Sequence, residues 1–460
     1  MDKVKYKNFR IGKFVEFFHS LFPRNNIKIT LLNVVYSLFL FLLFDRFIKQ
    51  LFYIYGYDSW NISEFLINYQ GGFVRRGLIG EILFIFANNF NINVEWIIHI
   101  LCLISFLFVS IFFVRSFLSK GYSLYILPLC FFLGMGILAC NNAWIRKDYL
   151  MLCFFIAIFW IFNKNNLSIP IKVFIINILA VFILLSHEVF AFFTLPLLFL
   201  FFLKQYLNKG ILQSIVLSSL SLLPVIIVFL LTLFYHGNIE TAQAIWDSWR
   251  DILNQAPMEV GQRNVTAISA IGWTSEYALK FHFRTNFLIR DDGIVPIVLW
   301  SIIFPIVYYI STNALFIFKK NENYYTAQHK TYLSSVLIFQ LLCMSPVFVF
   351  LSCDWIRLFF YWITSSFTIF LLIPLEKIIF PNFFVKIVEK INDCLIKIFS
   401  PSKTTLIFFM MLIGIPPLKF SIMEGIRTSM LYSDLRLLSE MLVRLKILII
   451  NLFNFYNSIF

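Results

Sequence analysis

Apolar runs long enough to cross a bilayer recur along this chain, and they constrain its fold more than any other feature. A helix spanning about 30 Å of hydrocarbon needs roughly 20 apolar residues. Runs of this kind fall at 29–44, 94–114, 121–140, 149–163, 168–186, 189–203, 211–235, 294–318, 331–351, 358–375 and 404–421. They predict an all-α fold, a polytopic transmembrane bundle of eleven spans occupying residues 29–440. Residues 441–460 are a candidate twelfth span, although Arg444 and Lys446 suit an amphipathic tail equally well. Residues 78–90 are apolar too, but Glu81, Asn88 and Asn89 suit a helix lying along the surface. Composition agrees with a membrane chain: 60% of the 460 residues are hydrophobic and 13% charged. A soluble domain is nearer half apolar and a quarter charged.

Charge placement predicts orientation. Met1–Lys28 is basic and lacks a short apolar core followed by a cleavage site, so it reads as a retained cytoplasmic segment. Its Phe9, Phe14, Phe17, Phe18, Leu21 and Phe22 suggest an amphipathic helix on the inner surface. With that end inside, the inner segments hold 21 Lys/Arg against 6 Asp/Glu, and the outer ones 17 against 18. The positive-inside rule therefore fixes the N-terminus in the cytoplasm. A net charge of +14 distributed in this way argues against a nucleic-acid partner. The seven cysteines form no disulfide framework and show no metal-ligand spacing. The 376–403 stretch, with Ile387, Val388, Ile391, Leu395 and Ile398, reads as an inner-surface amphipathic helix. Two outer segments are long, 45–93 and 236–293, and the second reads as a lid of short helices too polar to be inserted.

The spans themselves are nearly free of ionisable residues, whereas ion-coupled transporters need such groups at mid-membrane. Charge gathers instead at the outer ends. The first outer segment holds Asp45, Asp58, Glu64 and the run Gln70–Glu81 containing Arg75 and Arg76. Tight turns hold Arg146, Lys147 and Asp148, then His187 and Glu188, then Asp354 and Arg357. Turns this short cannot stray from the rim, so these side chains are expected to line one water-filled mouth suited to a lipid-anchored anion.

Each group admits two readings. Arg75 and Arg76 either face lipid phosphates in an ordinary interfacial turn or grip a phosphate bidentately, with flexible glycines allowing close approach. Arg146–Asp148 and Asp354/Arg357 are either local pairs at helix ends or site residues. His187-Glu188 is the least expected pair in a tight apical turn, and proton transfer or metal ligation would explain it. Glu95 and His99 are spaced to pair with each other. The lid carries His282 and Arg284 as acceptor-side candidates. Eight tryptophans, Trp60, Trp96, Trp144, Trp246, Trp249, Trp273, Trp300 and Trp355, fall on the outer side. They fit an aromatic belt or a sugar-stacking cleft.

This layout resembles the C-type membrane glycosyltransferases (GT-C), and Gly71–Gly80 is similar to membrane proteins of surface-polysaccharide gene clusters. The resemblance covers the topology of about the first 200 residues. Asp58 (or Asp45) matches the first-loop acid of that family and Asp148 the acid of its second outer loop; a paired-acid motif and a large C-terminal soluble domain are missing. It implies an enzyme of the bacterial inner membrane, active on the periplasmic face, that moves sugar from a polyprenyl-phosphate-linked donor to a surface-glycan acceptor. Asp58 would take the acceptor's proton. Arg75, Arg76, Arg146 and Arg357 would bind the donor phosphate. Asp148, His187 and Glu188 would orient the acceptor or hold a divalent cation, with Asp354, His282 and Arg284 on the acceptor and lid side. An O-antigen or capsule polymerase acting on polyprenyl-diphosphate-linked units is the nearest alternative, with 236–293 as its large late loop. A lipid-linked oligosaccharide flippase is the alternative from another class.

Overall fold

The computed structural model describes Ser37 and residues 56–57, 59–90, 92–121, 145–253, 266–288, 296–317, 327–352, 354–399 and 401–412. Among them every regular element is helical and there is no strand. The predicted spans at 29–44 and 121–140, the candidate at 441–460 and the basic segment 1–28 lie outside the described residues, as do Asp45 and Asp58.

The segment 45–93 gives α1 (Trp60–Ser63) and α2 (Gly77–Phe90). The bundle follows with α3 (Val94–Ser119), α4 (Lys147–Asn163), α5 (Ile169–Leu184), α6 (Phe190–Tyr206), α7 (Ile211–Ser221) and α8 (Leu223–Phe234). The segment expected to form a lid folds into three short helices, α9 (Ile239–Leu253), α10 (Ala267–Ile271) and α11 (Ser275–Phe287). The chain continues through α12 (Pro296–Ile317), α13 (Ala327–Pro346), α14 (Trp355–Leu372), α15 (Asn382–Ile398) and α16 (Lys403–Leu412).

Among the described residues three helices are long and apolar enough to cross a membrane: Val94–Ser119, Phe190–Lys209 and Ala327–Leu351. A fourth candidate is the pair α7 and α8, bent by 58° where Leu222 and Pro224 interrupt the ladder. Further apolar helices of 10–17 residues are α2, α5 and the described parts of α12 and α14. On α3 the two faces separate cleanly. Ile98, Cys102, Phe106, Val109, Phe113 and Phe117 are buried, while Ile100, Ile104, Leu107, Phe108 and Ile111 are exposed. An exposed face this apolar suits contact with lipid tails better than with water.

Helix α4 sits centrally, packed on α3, α5 and α14, and α14 packs in turn on α13 and α6. Between bilayer helices the hydrophobic effect gives no drive, so association rests on dispersion and shape. Phenylalanine supplies both. Phe155, Phe193 and Tyr361 interlock α4, α6 and α14, with ring centroids 5.5 and 5.3 Å apart. Phe304, Phe348, Phe359 and Trp362 do the same for α12, α13 and α14. Helix α15 coincides with the predicted amphipathic segment: Val388 and Asn392 turn inward, and Phe383, Ile387 and Ile398 are exposed. Tyr308 Oη donates to Asn392 Oδ1 at 2.7 Å and holds that helix to the bundle.

Candidate functional site

The Gln70–Glu81 run owes its shape to packing rather than to flexibility. A Cβ at Gly80 would lie 1.9 Å from the Ile67 carbonyl oxygen, one at Gly77 2.2 Å from the Tyr69 ring, and one at Gly71 2.7 Å from the Thr241 carbonyl. These glycines let the loop and α2 close on each other and on α9, which corrects the expectation that they leave room for a phosphate. Glu81 completes the closure by accepting from the Tyr69 N–H at 2.8 Å and Gln70 Nε2 at 2.9 Å. Arg76 takes a left-handed conformation, φ 67°. That conformation is uncommon for a residue with a Cβ.

The strained Arg76 reaches the turn between α5 and α6. Its Nε donates to Glu188 Oε2 at 2.8 Å and its Nη2 to Glu188 Oε1 at 2.5 Å, a two-point clamp. A second clamp joins α4 to α14, where Arg357 Nε and Nη2 donate to Asp148 at 3.0 and 2.8 Å. Arg146, just before α4, donates through Nε to Asn61 Oδ1 at 3.0 Å and contacts Asp354 at 3.4 Å. Lys147 Nζ, fully buried near the Phe65 ring, donates to the carbonyls of Arg76 and Ser186 at 3.1 and 3.2 Å. The first outer segment and the three tight turns thus converge on one network.

This network is buried. Glu64, Lys147 and Asp148 have no exposed surface, and His187 and Glu188 almost none. Where a water-filled mouth was expected there is an ionic cluster with a buried centre, at whose edge Arg75 and Asp354 remain partly exposed. Charges so placed persist only when paired, because burying a lone ion is far too costly.

Glu64 is the member that residue-by-residue reading passed over as a site candidate. Its signal was an acid inside the apolar run Ile62–Ile67. Its Oε1 faces His187 Nε2 at 3.2 Å and Arg357 Nη2 at 3.8 Å, while its Oε2 has no hydrogen-bond partner. Burial alone would raise its pKa, but Arg357, His187 and Lys147 more than offset that and hold the carboxyl well below the usual range. Glu188 behaves likewise, with Arg76 outweighing burial.

His187 is fixed at both nitrogens. The Val189 N–H donates to Nδ1 at 3.3 Å, which places the ring proton on Nε2 facing Glu64. Burial and the Arg76 cation lower its pKa to about 4, so it is neutral at pH 7. An imidazole held in this way positions its neighbours and has no free nitrogen for a substrate proton.

Arg75 is the least satisfied cation. Its one carboxylate contact is 3.6 Å to Glu188, and its Nε has no hydrogen-bond partner. His282, from α11, faces the same place. Burial and the charges of Arg76 and Arg75 lower its pKa to about 4, and its Nδ1 is unpartnered. Arg284 is exposed on the outer side of α11 and does not join the network. His99 Nδ1 contacts the Glu95 backbone carbonyl at 2.7 Å. Among the described residues no group of three or more His, Cys, Asp or Glu is placed to hold a metal ion. The chemistry the cluster offers is anion binding at Arg75 beside a carboxylate, Glu64, that its cations keep ionised.

Comparison of the chain with protein-family models, with curated proteins and with solved structures found no match.

Proposed function

We propose that this chain is a membrane glycosyltransferase working at the outer face. It moves sugar from a polyprenyl-phosphate-linked donor to a glycan acceptor. One observation carries the reading, the uneven saturation of the cluster. Arg76 and Arg357 are committed to Glu188 and Asp148, whereas Arg75 and Glu64 keep unfilled capacity. An ionised carboxylate beside an under-used guanidinium suits a displacement in which a hydroxyl loses a proton while a phosphate leaves.

In this scheme the acceptor oxygen forms a bond to the anomeric carbon and its proton passes to the carboxylate. The bond from that carbon to the phosphate oxygen breaks, its electron pair stays on the phosphate, and Arg75 stabilises the charge. Glu64 is the first-loop acid buried in the cluster, whereas Glu81 is engaged by Tyr69 and Gln70, and Asp58 is a candidate for the same role. Glu64 is sealed in this state, so the acceptor reaches it after movement of the first outer loop or α11.

The test is transfer of labelled sugar from polyprenyl-phosphate donors in host membranes carrying only the variant protein. Glu64→Gln and Arg75→Ala should each lower transfer more than about tenfold, a change of about 1.4 kcal/mol, at unchanged protein level. Wild-type transfer in both variants would sink the proposal.

The polymerase reading is supported by one specific placement, that of His282 from the late segment against Arg75 and Arg76. It predicts new linkages between diphosphate-linked repeat units, abolished by His282→Ala, without transfer from monophosphate donors.

A further inference from the structure

We propose that α11 lies in the bilayer interface at the charged end of the bundle, with both of its apolar flanks against lipid. The observations concern which residues the helix turns where. At 100° per residue, its inward side carries Thr285, Asn286 and His282, which are small or polar. Asn286 is buried and donates through Nδ2 towards the carbonyls of Phe348, Val349 and Ser352, at 3.3, 3.4 and 3.0 Å. Its Oδ1 accepts from Trp355 Nε1 at 3.0 Å. The helix is therefore pinned by polar contacts, and its apolar residues are not what it buries.

Those residues point outward. Tyr277, Leu279, Phe281, Phe283 and Leu288 are between 36 and 53% exposed. Leu279 and Phe283 form one flank, and Tyr277, Phe281 and Leu288 the other. Lys280 and Arg284 run between them as a ridge. In water this arrangement would leave two aromatic and aliphatic flanks uncovered, one on each side of the ridge. At a bilayer interface the flanks enter the acyl boundary while the ridge of Arg284 and the Lys280–Glu276 ion pair faces the headgroups, with Arg284 free to reach lipid phosphates.

Continuity with the lipid-facing surface selects lipid over a protein partner. Helix α11 packs on the π-helical segment Val347–Leu351, the last turn of a helix long enough to cross the membrane. Phe350 and Leu351 in that turn are themselves exposed. The apolar surface of the bundle thus runs onto the flanks of α11 without a break. The reading of 236–293 as too polar to be inserted fits α9, with Asp247, Arg250 and Asp251, and fits α11 too, whose Glu276, Lys280, His282 and Arg284 suit a helix lying in the interface rather than crossing the bilayer. Because the opposite side of α11 brings His282 towards Arg75 and Arg76, the helix forms a wall between lipid and the charged cluster.

Spin-label depth measurement tests this without any assay of activity, so its failure and that of the enzymatic reading are separable. Single cysteines at Leu279, Phe281 and, as a water-exposed reference, Asp251 would be placed in a Cys394→Ser chain. Each would be reconstituted in phosphatidylcholine–phosphatidylglycerol vesicles, with the labelled parent chain as blank. The expected result is preferential collision with oxygen over a water-soluble nickel chelate at 279 and 281, and the reverse at 251. Nickel access at either flank equal to that at 251 overturns the proposal.

Discussion

Arg76 and Glu188 meet through hydrogen bonds at 2.8 and 2.5 Å, joining the loop before α2 to the turn between α5 and α6. Arg76 holds a left-handed backbone to do so. Removing one partner of such a buried pair strands the other charge, at a cost of about 3–5 kcal/mol. Arg76→Ala and Glu188→Ala should each lower the thermal unfolding midpoint in detergent sharply. The double variant should lose much less than the sum, since neither charge is then left alone. Arg76→Lys should not rescue, because an ammonium cannot make the two-point contact.

Arg75 provides the contrast. Its single 3.6 Å carboxylate contact and partial exposure predict that Arg75→Ala shifts stability by less than about 1 kcal/mol. Its effect should fall on function, as a loss of transfer or of competition by a polyprenyl-phosphate analogue. A large loss of stability with normal transfer would reverse the role assigned to it.

The glycines of the same loop should differ sharply from one another. Gly80→Ala places a Cβ 1.9 Å from a backbone oxygen that cannot move aside, so the variant should fail to accumulate as folded protein. Gly72→Ala meets open space but sits at φ +98°. It should fold with a loss of about 1–2 kcal/mol. Membrane yield and unfolding midpoints distinguish the two.

Acid should loosen the cluster before it affects the spans. His187 is held at about 4, below the ordinary 6.5, so the folded state binds its proton more weakly than the unfolded one. Stability is therefore full above 6.5 and declines as pH falls towards 4, by about 3 kcal/mol in all and about 2 by pH 5. His282, also near 4, acts in the same direction but less strongly because it is partly solvated. Glu64 and Glu188, held below the usual range, add their loss only under more acid conditions. The unfolding midpoint between pH 7.5 and 5 should fall in the wild type and less in His187→Gln.

Asn286 should govern how α11 is held. Asn286→Ala removes the groups that satisfy Trp355 Nε1 and three carbonyl oxygens. Limited proteolysis across 266–288 should speed up while the helical circular dichroism stays unchanged.

The sequence by itself determined the all-helical class and the apolar faces, because period and hydropathy are local properties. The helices at 94–119, 190–209 and 327–351 stand where apolar runs were read. The amphipathic helix at 382–398 was legible for the same reason. Short turns placed Arg146, Asp148, His187, Glu188, Asp354 and Arg357 at one rim, since a few residues cannot carry a side chain far. Only the tertiary structure decided which charge faces which. Two guanidiniums that read alike in Arg75-Arg76 differ because a left-handed backbone turns one onto Glu188 and leaves the other nearly unpaired. Only packing revealed Glu64, an acid sealed among cations supplied by distant segments. Pairing across a bundle depends on how helices dock, and no local period encodes that.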